Sequence, residues 1–494
     1  MLFKVLNNLS EIEPDSEEVV HLIQDDWNDW WEFKTLYQVY IGNNYIGSVK
    51  IGSNILKEKR PNLPETFTEL DKDFYSLGQS EDYYMELNKL GATRVVFLRA
   101  LKDIAYDKEH YQKVRRKQIV VNSLMRDISS VSVQGRLRKL ANGDATLTKF
   151  YFTYMFKDES IGEIDFEVNP RSYPPSNMHV LIGRNGIGKS FFLNKMLDSL
   201  VKGDKEYGEF INLKGKRNLF SKVVSVSFSA FDDYIPIEDS KIINYTYLGL
   251  KQLKKEKAKK IDLPPKSPKK LTTEFAQSIF KCSIEGKMDL WQELVKELQY
   301  DPAFDQPEIK NVLSFENLNL DEQEIKKKAM DAFKNLSSGH KIVLLTLARL
   351  IENVEEKTIV IMDEPETYLH PPLVSAFIQV ISTLLRKRNG VAIIVTHSPV
   401  ILQEIPRKCV WKIRKEGVQY SFNRPKIETF GENLGVLTRE IFGLEVSETG
   451  FHKLIKQAVL ELGDYSSVLE HFNNELGDEA KNLVMALADD EGDF

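Results

Sequence analysis

The sequence has little of what marks secreted, membrane-spanning or zinc-binding proteins. It has two cysteines, Cys282 and Cys409, which are too far apart to form a Cys-x-x-Cys pair. This argues against a disulfide framework and a structural zinc site, and it suits a reducing compartment. There is no run of roughly eighteen or more apolar residues and no signal-peptide pattern at the N-terminus. We therefore expect a cytoplasmic protein that does not bind a membrane.

Net charge is also low. The formal charge of −6 over 494 residues gives no overall attraction to nucleic acid. The exception is the stretch 251–270, which has nine lysines and three prolines against the two acids Glu256 and Asp262. It is predicted to be an exposed loop, either simply solvated or in contact with a phosphate backbone. Nucleic-acid binding, through this loop or through a partner, is therefore left open.

A phosphate-binding loop is predicted at residues 183–190. The run Gly183-Arg-Asn-Gly-Ile-Gly-Lys-Ser190 matches the pattern G-x-x-x-x-G-K-[ST], follows an apolar stretch and opens a helical pattern. In that setting Lys189 reaches the β- and γ-phosphates, and the Ser190 hydroxyl ligates Mg²⁺. ATP and Mg²⁺ are therefore the predicted cofactors. The predicted cofactor-binding residues of the loop are Asn185, Gly186, Ile187, Gly188, Lys189, Ser190 and Phe191.

Two acids at the end of a predicted strand form the second element of the site. The short apolar run 359–362 is typical of a buried parallel strand, and Asp363 and Glu364 follow it directly. Asp363 is predicted to hold the magnesium through water, together with Ser190. Glu364 is predicted to polarise the attacking water as a general base.

Two more segments resemble motifs of ABC-type ATPases. Leu336-Ser-Ser-Gly-His340 precedes a helical pattern and is similar to the LSGGQ motif, although its Ser could also be only a helix cap. The resemblance implies that Ser337 and Gly339 bind the γ-phosphate held by the opposite protomer. A strand-like run ends in His397, which is similar to the switch histidine of the family. The implied catalytic residues are Glu364, His397 and Lys189.

The sequence departs from the family at three positions. Ser338 stands in place of the second glycine of LSGGQ, and His340 stands in place of its glutamine. The Q-loop glutamine is missing after the predicted strand 223–228, where Asp232 is the candidate replacement. These departures weaken the resemblance to transporter subunits, which would have that glutamine and a more compact chain.

The string Glu364-Pro-Glu-Thr-Tyr-Leu-His-Pro371 resembles the SMC-like and OLD-like branch of the class. Within it, the chain resembles the PtuA ATPase subunits of Septu and Septu-like retron anti-phage systems. That resemblance implies a homo-oligomer, either a head-to-head dimer or a higher one. It also implies a separately encoded effector nuclease as partner, of the HNH type in Septu. The alternatives are a RecF-like or SMC-like DNA-repair ATPase that binds DNA directly, and an ATP sensor with negligible turnover.

The predicted fold is α/β: an ABC-type P-loop ATPase head, with a parallel sheet core and an antiparallel lobe, interrupted by helical insertions. Alternation around a turn predicts a hairpin near residues 34–52. The predicted organisation is an N-terminal segment with this hairpin (1–52), a candidate part of the lobe; a mainly helical insertion (53–145); the lobe with the phosphate loop (146–231); a helical insertion with the basic loop (232–330); the head with the LSGGQ-like motif, the acidic strand end and the switch histidine (331–425); and a helical C-terminal region with an acidic tail (426–494).

Overall fold

The computed structural model describes residues 1–12, 19–26, 29, 32–57, 59–212, 219–228, 236, 240–252, 265–305, 309, 322–417, 419–443 and 450–490. The Q-loop region with Asp232, most of the basic loop and the last residues of the acidic tail lie outside these ranges. Among the helices within them, none is long and apolar enough to cross a membrane.

The strands of the described residues are β1 (Leu2–Leu6), β2 (Val19–Gln24), β3 (Leu36–Ile41), β4 (Asn44–Ser53), β5 (Leu56–Lys57), β6 (Arg60–Pro61), β7 (Thr66–Phe67), β8 (Phe74–Gly78), β9 (Phe150–Phe156), β10 (Glu163–Val168), β11 (Met178–Ile182), β12 (Gly208–Asn212), β13 (Lys222–Ser227), β14 (Asn244–Gly249), β15 (Thr358–Asp363), β16 (Val391–Thr396), β17 (Val410–Glu416) and β18 (Gln419–Asn423).

The α-helices are α1 (Glu81–Lys89), α2 (Thr93–Ala100), α3 (Lys108–Val114), α4 (Ser130–Ser132), α5 (Arg138–Ala141), α6 (Lys189–Val201), α7 (Pro268–Ile284), α8 (Met288–Lys296), α9 (Glu322–Lys334), α10 (Ser338–Asn353), α11 (Pro371–Arg388), α12 (Pro399–Gln403), α13 (Leu434–Phe442), α14 (Gly450–Leu462), α15 (Tyr465–His471) and α16 (Asp478–Asp490). Two π-helical segments, Val120–Leu124 and Val133–Leu137, and two 3-10 turns, Leu9–Glu11 and Arg407–Cys409, complete the set.

A seven-stranded sheet forms the centre of the head, in the order β14-β13-β15-β16-β11-β17-β18. Its first six strands are parallel, and β18 runs antiparallel to β17. Every residue of β11, β15 and β16 is buried, as expected for β-branched apolar runs covered on both faces. α10 and α11 pack on one face, and α6 packs on the other.

A separate antiparallel sheet, in the order β10-β9-β12, packs on the α6 side of the head. Its aromatic side chains interlock: the ring of Phe152 stacks on Phe166 at 4.9 Å and meets Phe220 edge-on at 5.0 Å. A parallel core, an antiparallel lobe and helical insertions are therefore all present. The predicted fold class, an α/β ABC-type P-loop ATPase head, is confirmed.

The N-terminal hairpin does not lie in that lobe, which corrects the predicted placement of residues 1–52. β3 and β4 belong to a six-stranded sheet of their own, in the order β7-β1-β2-β3-β4-β8. Val39 and Val49 of the hairpin are fully buried, in one apolar cluster with Tyr83 of α1 and Phe97 of α2. The segment 53–145 supplies two strands of this sheet, β7 and β8, before its helices begin. The described residues between Phe3 and Ala141 therefore share one core. The hairpin finds its apolar partner in these helices rather than in the lobe.

This N-terminal unit docks against the amino ends of the parallel strands. The amide of Glu356, just before β15, donates to Glu81 Oε1 at 2.8 Å. The guanidinium Nε of Arg136 lies 3.1 Å from Glu81 Oε2 and 3.7 Å from Glu356 Oε2. Arg388, at the end of α11, pairs with Asp82 at 2.8 Å. Buried ion pairs therefore join this unit to one edge of the sheet.

Candidate functional site

The carboxyl ends of the parallel strands form the opposite edge, where the predicted site residues meet. The strand register sets Ile182 of β11 beside Thr396 of β16, and Asp363 of β15 beside Val395. The segments that follow β11, β15 and β16 therefore leave the sheet side by side at its carboxyl end. In open α/β sheets this edge is where ligands bind.

The phosphate loop depends on its glycines. A side chain at Gly183 would come within 2.8 Å of the carbonyl oxygen of Ile413, so the loop passes too close to β17 for any larger residue. Gly188 has a φ of +97° and caps the N-terminus of α6, a conformation that L side chains rarely adopt. The loop is thereby held at the start of a thirteen-residue helix, whose free amides favour an anion.

Lys189 lies inside this loop. Its Nζ donates to the carbonyl oxygens of Gly183 and Arg184, both at 3.0 Å. Burial lowers the pKa of Lys189 below its ordinary value, although the carboxylates of Glu364 and Asp363 act in the opposite direction. The ammonium group is therefore held by the loop itself, next to the place where phosphates would bind.

Ser190 and Asp363 come together although 173 residues separate them in the sequence. The Ser190 hydroxyl donates to Asp363 Oδ1 at 3.1 Å. A hydroxyl and a carboxylate oxygen are hard ligands of the kind that Mg²⁺ prefers. The pair fits the magnesium site that the sequence predicts.

Glu364 and His397 form the next contact along this edge. Glu364 has a φ of +45°, and its amide donates to the carbonyl oxygen of Val395 at 2.9 Å. Its Oε1 lies 3.2 Å from Nδ1 of His397, and the two side chains are 31% and 43% exposed. The tight turn after β15 therefore aims the Glu364 carboxylate at His397 and at open space.

Glu366 is a third acid of this edge, and no sequence motif predicts a role for it. Its Oε1 accepts the Thr396 hydroxyl and the amide of His397, the latter at 3.3 Å. Its Oε2 is buried without a hydrogen-bond partner among the described residues. Burial raises the pKa of Glu366, while the hydrogen bond from Thr396 lowers it. Only the position of Glu366 in the sequence, two residues after Glu364, could have indicated that it holds the backbone amide of His397.

The LSGGQ-like segment starts α10 at the surface. The Ser337 hydroxyl accepts from the amide of His340 at 3.4 Å and caps the helix. A side chain at Gly339 would come within 2.8 Å of the carbonyl oxygen of Tyr368, in the loop after β15. The side-chain hydrogen bonds of Ser337 that the structure describes are with His340. Ser190 of the phosphate loop contacts Asp363. Among the described contacts, Ser337 and Gly339 do not touch this pair.

A cavity of about 660 Å³ adjoins the phosphate loop. Phe191, Tyr207 and Tyr420 line it, and the hydroxyl of Tyr420 would lie 3.4 Å from a side chain at Gly188. The Lys195 ammonium lies 4.2 Å from the centre of the Tyr207 ring. This volume and its aromatic walls fit a nucleoside. Phe191 was predicted from the motif, whereas no pattern in the sequence marks Tyr207 or Tyr420.

Comparison with known proteins gives one relative that matches over almost the whole chain. Protein ea59 of Escherichia phage lambda is 35% identical over 521 residues, which cover 98% of this chain and 98% of that protein. A family model described as "AAA domain, putative AbiEii toxin, Type IV TA system" matches residues 277–403.

The chain is also similar to two solved structures. The ATP-binding cassette MJ1267 of an ABC transporter, in its ADP conformation, is 15% identical, with 61% of this chain and 98% of that chain covered and a TM-score of 0.30. The structure of cbiO1 from Clostridium perfringens, part of the ABC transporter complex cbiONQ, is 14% identical, with 64% and 96% covered and a TM-score of 0.27. Strand order and motif positions in the chain itself define its head as an ABC-type P-loop ATPase head, and the extent of the phage lambda match shows that the chain belongs to the family of protein ea59.

Proposed function

We propose that this chain is a magnesium-dependent ATPase. The observation that supports this most is the meeting, at one sheet edge, of the Ser190–Asp363 pair and the Glu364–His397 pair. The first pair would hold the metal, and the second lies where an attacking water could bind. Lys189 would turn from the loop carbonyls to the phosphates, and the Phe191 side of the loop would hold the nucleoside.

In this mechanism Glu364 accepts a proton from water as the water oxygen bonds to the γ-phosphorus. The bond from that phosphorus to the bridging oxygen breaks, and ADP and inorganic phosphate leave. His397 contacts the γ-phosphate and keeps the Glu364 carboxylate in place. Glu366 holds the backbone of His397 through its amide. Bound Mg²⁺ would supply charge neutralisation at the phosphates. Loss of a general base typically lowers a rate by about 10²–10⁴-fold, so Glu364 carries a large share of the expected turnover.

The active form is proposed to be a head-to-head dimer that encloses two nucleotides. Ser337 is exposed, and its polar contacts stay within its own helix turn. The positive N-terminus of α10 is therefore available to a phosphate that a second copy presents. Each nucleotide would then face Lys189 of one copy and Ser337 of the other.

Light scattering of the Glu364→Gln variant tests this arrangement, because slow hydrolysis would trap the ATP state. With ATP and Mg²⁺ the mass should double from a monomer, and ADP should leave the mass unchanged. The Ser337→Ala variant in the same background should lose the ATP-dependent increase. A mass that changes neither with the nucleotide nor with the Ser337→Ala substitution would contradict the composite site.

We further propose that the ATPase regulates a separately encoded effector nuclease in anti-phage defence, as the Septu resemblance implies. The C-terminal helices offer a surface for such a partner: Phe451, Leu454, Leu460 and Met485 are all exposed there. Co-expression with the product of the neighbouring gene, followed by size-exclusion chromatography, tests this. Separate elution of the two proteins in every nucleotide state would count against the effector proposal and would leave the ATPase proposal intact.

Direct DNA binding is the second candidate, and the nine lysines of the 251–270 stretch favour it. Replacement of four of these lysines by glutamine should weaken DNA binding. The log–log salt slope should also fall by about one unit for each phosphate that the variant no longer neutralises. An unchanged slope in filter binding would leave this stretch as a solvated loop.

A further inference from the structure

A chain of three hydrogen-bonded polar side chains begins at Ser337, the first serine of the LSGGQ-like segment. Ser337 Oγ lies 2.6 Å from Nδ1 of His340, and Nε2 of the same ring lies 2.9 Å from Oδ2 of Asp301. Asp301 follows α8 in the insertion, 39 residues before His340 in the sequence. No sequence pattern connects it to the nucleotide motifs.

The local structure fixes both Asp301 and the ring. The amide of Ala303 donates to Asp301 Oδ1 at 2.9 Å, which leaves Oδ2 for the histidine. The ring of Phe304, itself fully buried, meets the His340 ring edge-on at 5.0 Å. The side chains of His340 and Asp301 are 16% and 15% exposed. The ring is therefore clamped in one orientation rather than free to rotate.

The carboxylate decides which ring nitrogen carries hydrogen. It can only accept, so Nε2 of His340 donates to Asp301. In the neutral ring, Nδ1 then accepts, and the Ser337 hydroxyl points its hydrogen back into its own helix turn. An anion that binds at this helix end offers the hydroxyl a second, charged acceptor. The hydroxyl hydrogen can then turn from Nδ1 to the anion, while the amide of His340 and the packed ring keep Ser337 Oγ at the start of the helix.

We propose that Asp301 and His340 are positioning residues that direct the Ser337 hydroxyl toward the γ-phosphate of a nucleotide bound by a second copy of this chain. This inference rests on the proposed composite ATP site. It explains why His340 stands where the LSGGQ motif has glutamine: the ring needs a carboxylate partner, and the insertion supplies one.

The same carboxylate also reaches the loop after β15. Nε2 of His370 lies 3.9 Å from Asp301 Oδ2, and Gly339 packs against the backbone of Tyr368 in that loop. Asp301 therefore lies between the start of α10, which begins within the LSGGQ-like segment, and the start of α11, which follows the loop after β15. Its side chain joins the insertion to Ser337 through His340.

The test is a double-mutant cycle on the full chain. Asp301→Ala should lower kcat about tenfold, the size expected for losing a hydrogen bond to a charged group, and should weaken the ATP-dependent dimer. Binding of a fluorescent ATP analogue to the monomer should not change, because Asp301 does not touch the nucleotide of its own head. Asp289→Ala, an exposed acid at the start of α8 in the same insertion, is the matched control and should leave kcat unchanged.

His340→Gln carries the residue of the family motif, which requires no carboxylate. In that background Asp301→Ala should change kcat by less than about twofold, because the two effects act through one ring. Equal losses in both backgrounds, or wild-type kcat in Asp301→Ala, would overturn the inference. Should Asp301→Ala not fold, Asp301→Asn keeps an accepting oxygen and should lose kcat several-fold only in the His340 background.

Ser337→Ala separates this inference from the proposed function. If Ser337→Ala hydrolyses ATP and dimerises like the wild type, the composite site itself is wrong. If Ser337→Ala is impaired while Asp301→Ala behaves as wild type, only the positioning role is wrong.

Discussion

The two edges of the seven-stranded sheet are built in opposite ways. At the carboxyl edge, the side chains of Glu364 and His397 are 31% and 43% exposed and touch each other at 3.2 Å. At the amino edge, Arg136 and Glu81 of the N-terminal unit pack against Glu356, and their side chains are 5% and 2% exposed. Reactive groups therefore face solvent at one end of the sheet, and buried charges join it to the N-terminal unit at the other.

The difference reflects what each polar contact contributes. An exposed contact such as Glu364–His397 adds little to stability, typically about 0–1 kcal/mol. Removing one partner of a buried pair leaves an uncompensated charge, which costs about 3–5 kcal/mol. We infer that the amino edge holds the architecture together, and that the carboxyl edge is arranged for chemistry.

The largest effect is expected at the carboxyl edge. Glu364→Gln should lower ATP hydrolysis by about 10²–10⁴-fold, because it removes the proposed base. ATP affinity should persist, since Lys189, Ser190 and Asp363 are untouched. Phosphate release and equilibrium binding of a fluorescent nucleotide measure the two quantities separately.

Lys189→Ala is the contrasting variant for this edge, and it should lose nucleotide binding itself. The melting temperature of both proteins without nucleotide should stay close to the wild type. If both variants lose nucleotide to the same extent, the separate roles given to the base and the phosphate-binding lysine are wrong.

The next effect is expected at the amino edge. Arg136→Ala should lower the free energy of unfolding by about 3–5 kcal/mol, because Glu81 and Glu356 would be left buried without their cation. Nucleotide affinity of the protein that remains folded should not change. Urea denaturation measures the loss of stability.

The control is Lys149→Ala, which removes a cation from an exposed pair with Glu167, whose side chains are 57% and 44% exposed. Its cost should be under about 1 kcal/mol. Equal destabilisation by the two variants would remove the distinction between the edges.

The carboxyl edge was open to prediction because its chemistry depends on short local patterns. The phosphate loop, the two acids at the end of β15 and the histidine after β16 each lie where a buried strand ends, and parallel strands bring their ends together. Glu366 and Tyr207 were not predicted as site residues. One acid among several, or one aromatic residue beside a strand of the lobe, has no distinctive neighbours in the sequence.

The amino edge could not be predicted in the same way. Its contacts join Glu81 to Arg136 across 55 residues and to Glu356 across 275 residues, and neither spacing belongs to a local pattern. The hairpin alternation of β3 and β4 was recognised, but alternation says only that one face is buried. It does not say which partner buries that face. For this reason the hairpin was only a candidate part of the antiparallel lobe, whereas it lies in the six-stranded sheet.

The smallest effect is expected where the N-terminal unit meets the insertion. The hydroxyls of Tyr45 and Ser48 both donate to the carbonyl oxygen of Ile284 at the end of α7, and the Ser48 contact is 2.9 Å. Tyr45→Phe removes one of two donors, so it should cost only about 0.5–1.5 kcal/mol. Tyr45→Phe with Ser48→Ala should cost more than the sum of the two single variants, because the carbonyl then has neither partner. Urea denaturation of all four proteins measures this coupling. Strictly additive losses of unfolding free energy would mean that the Ile284 carbonyl finds another partner. The buried contacts of the amino edge would then not extend to α7.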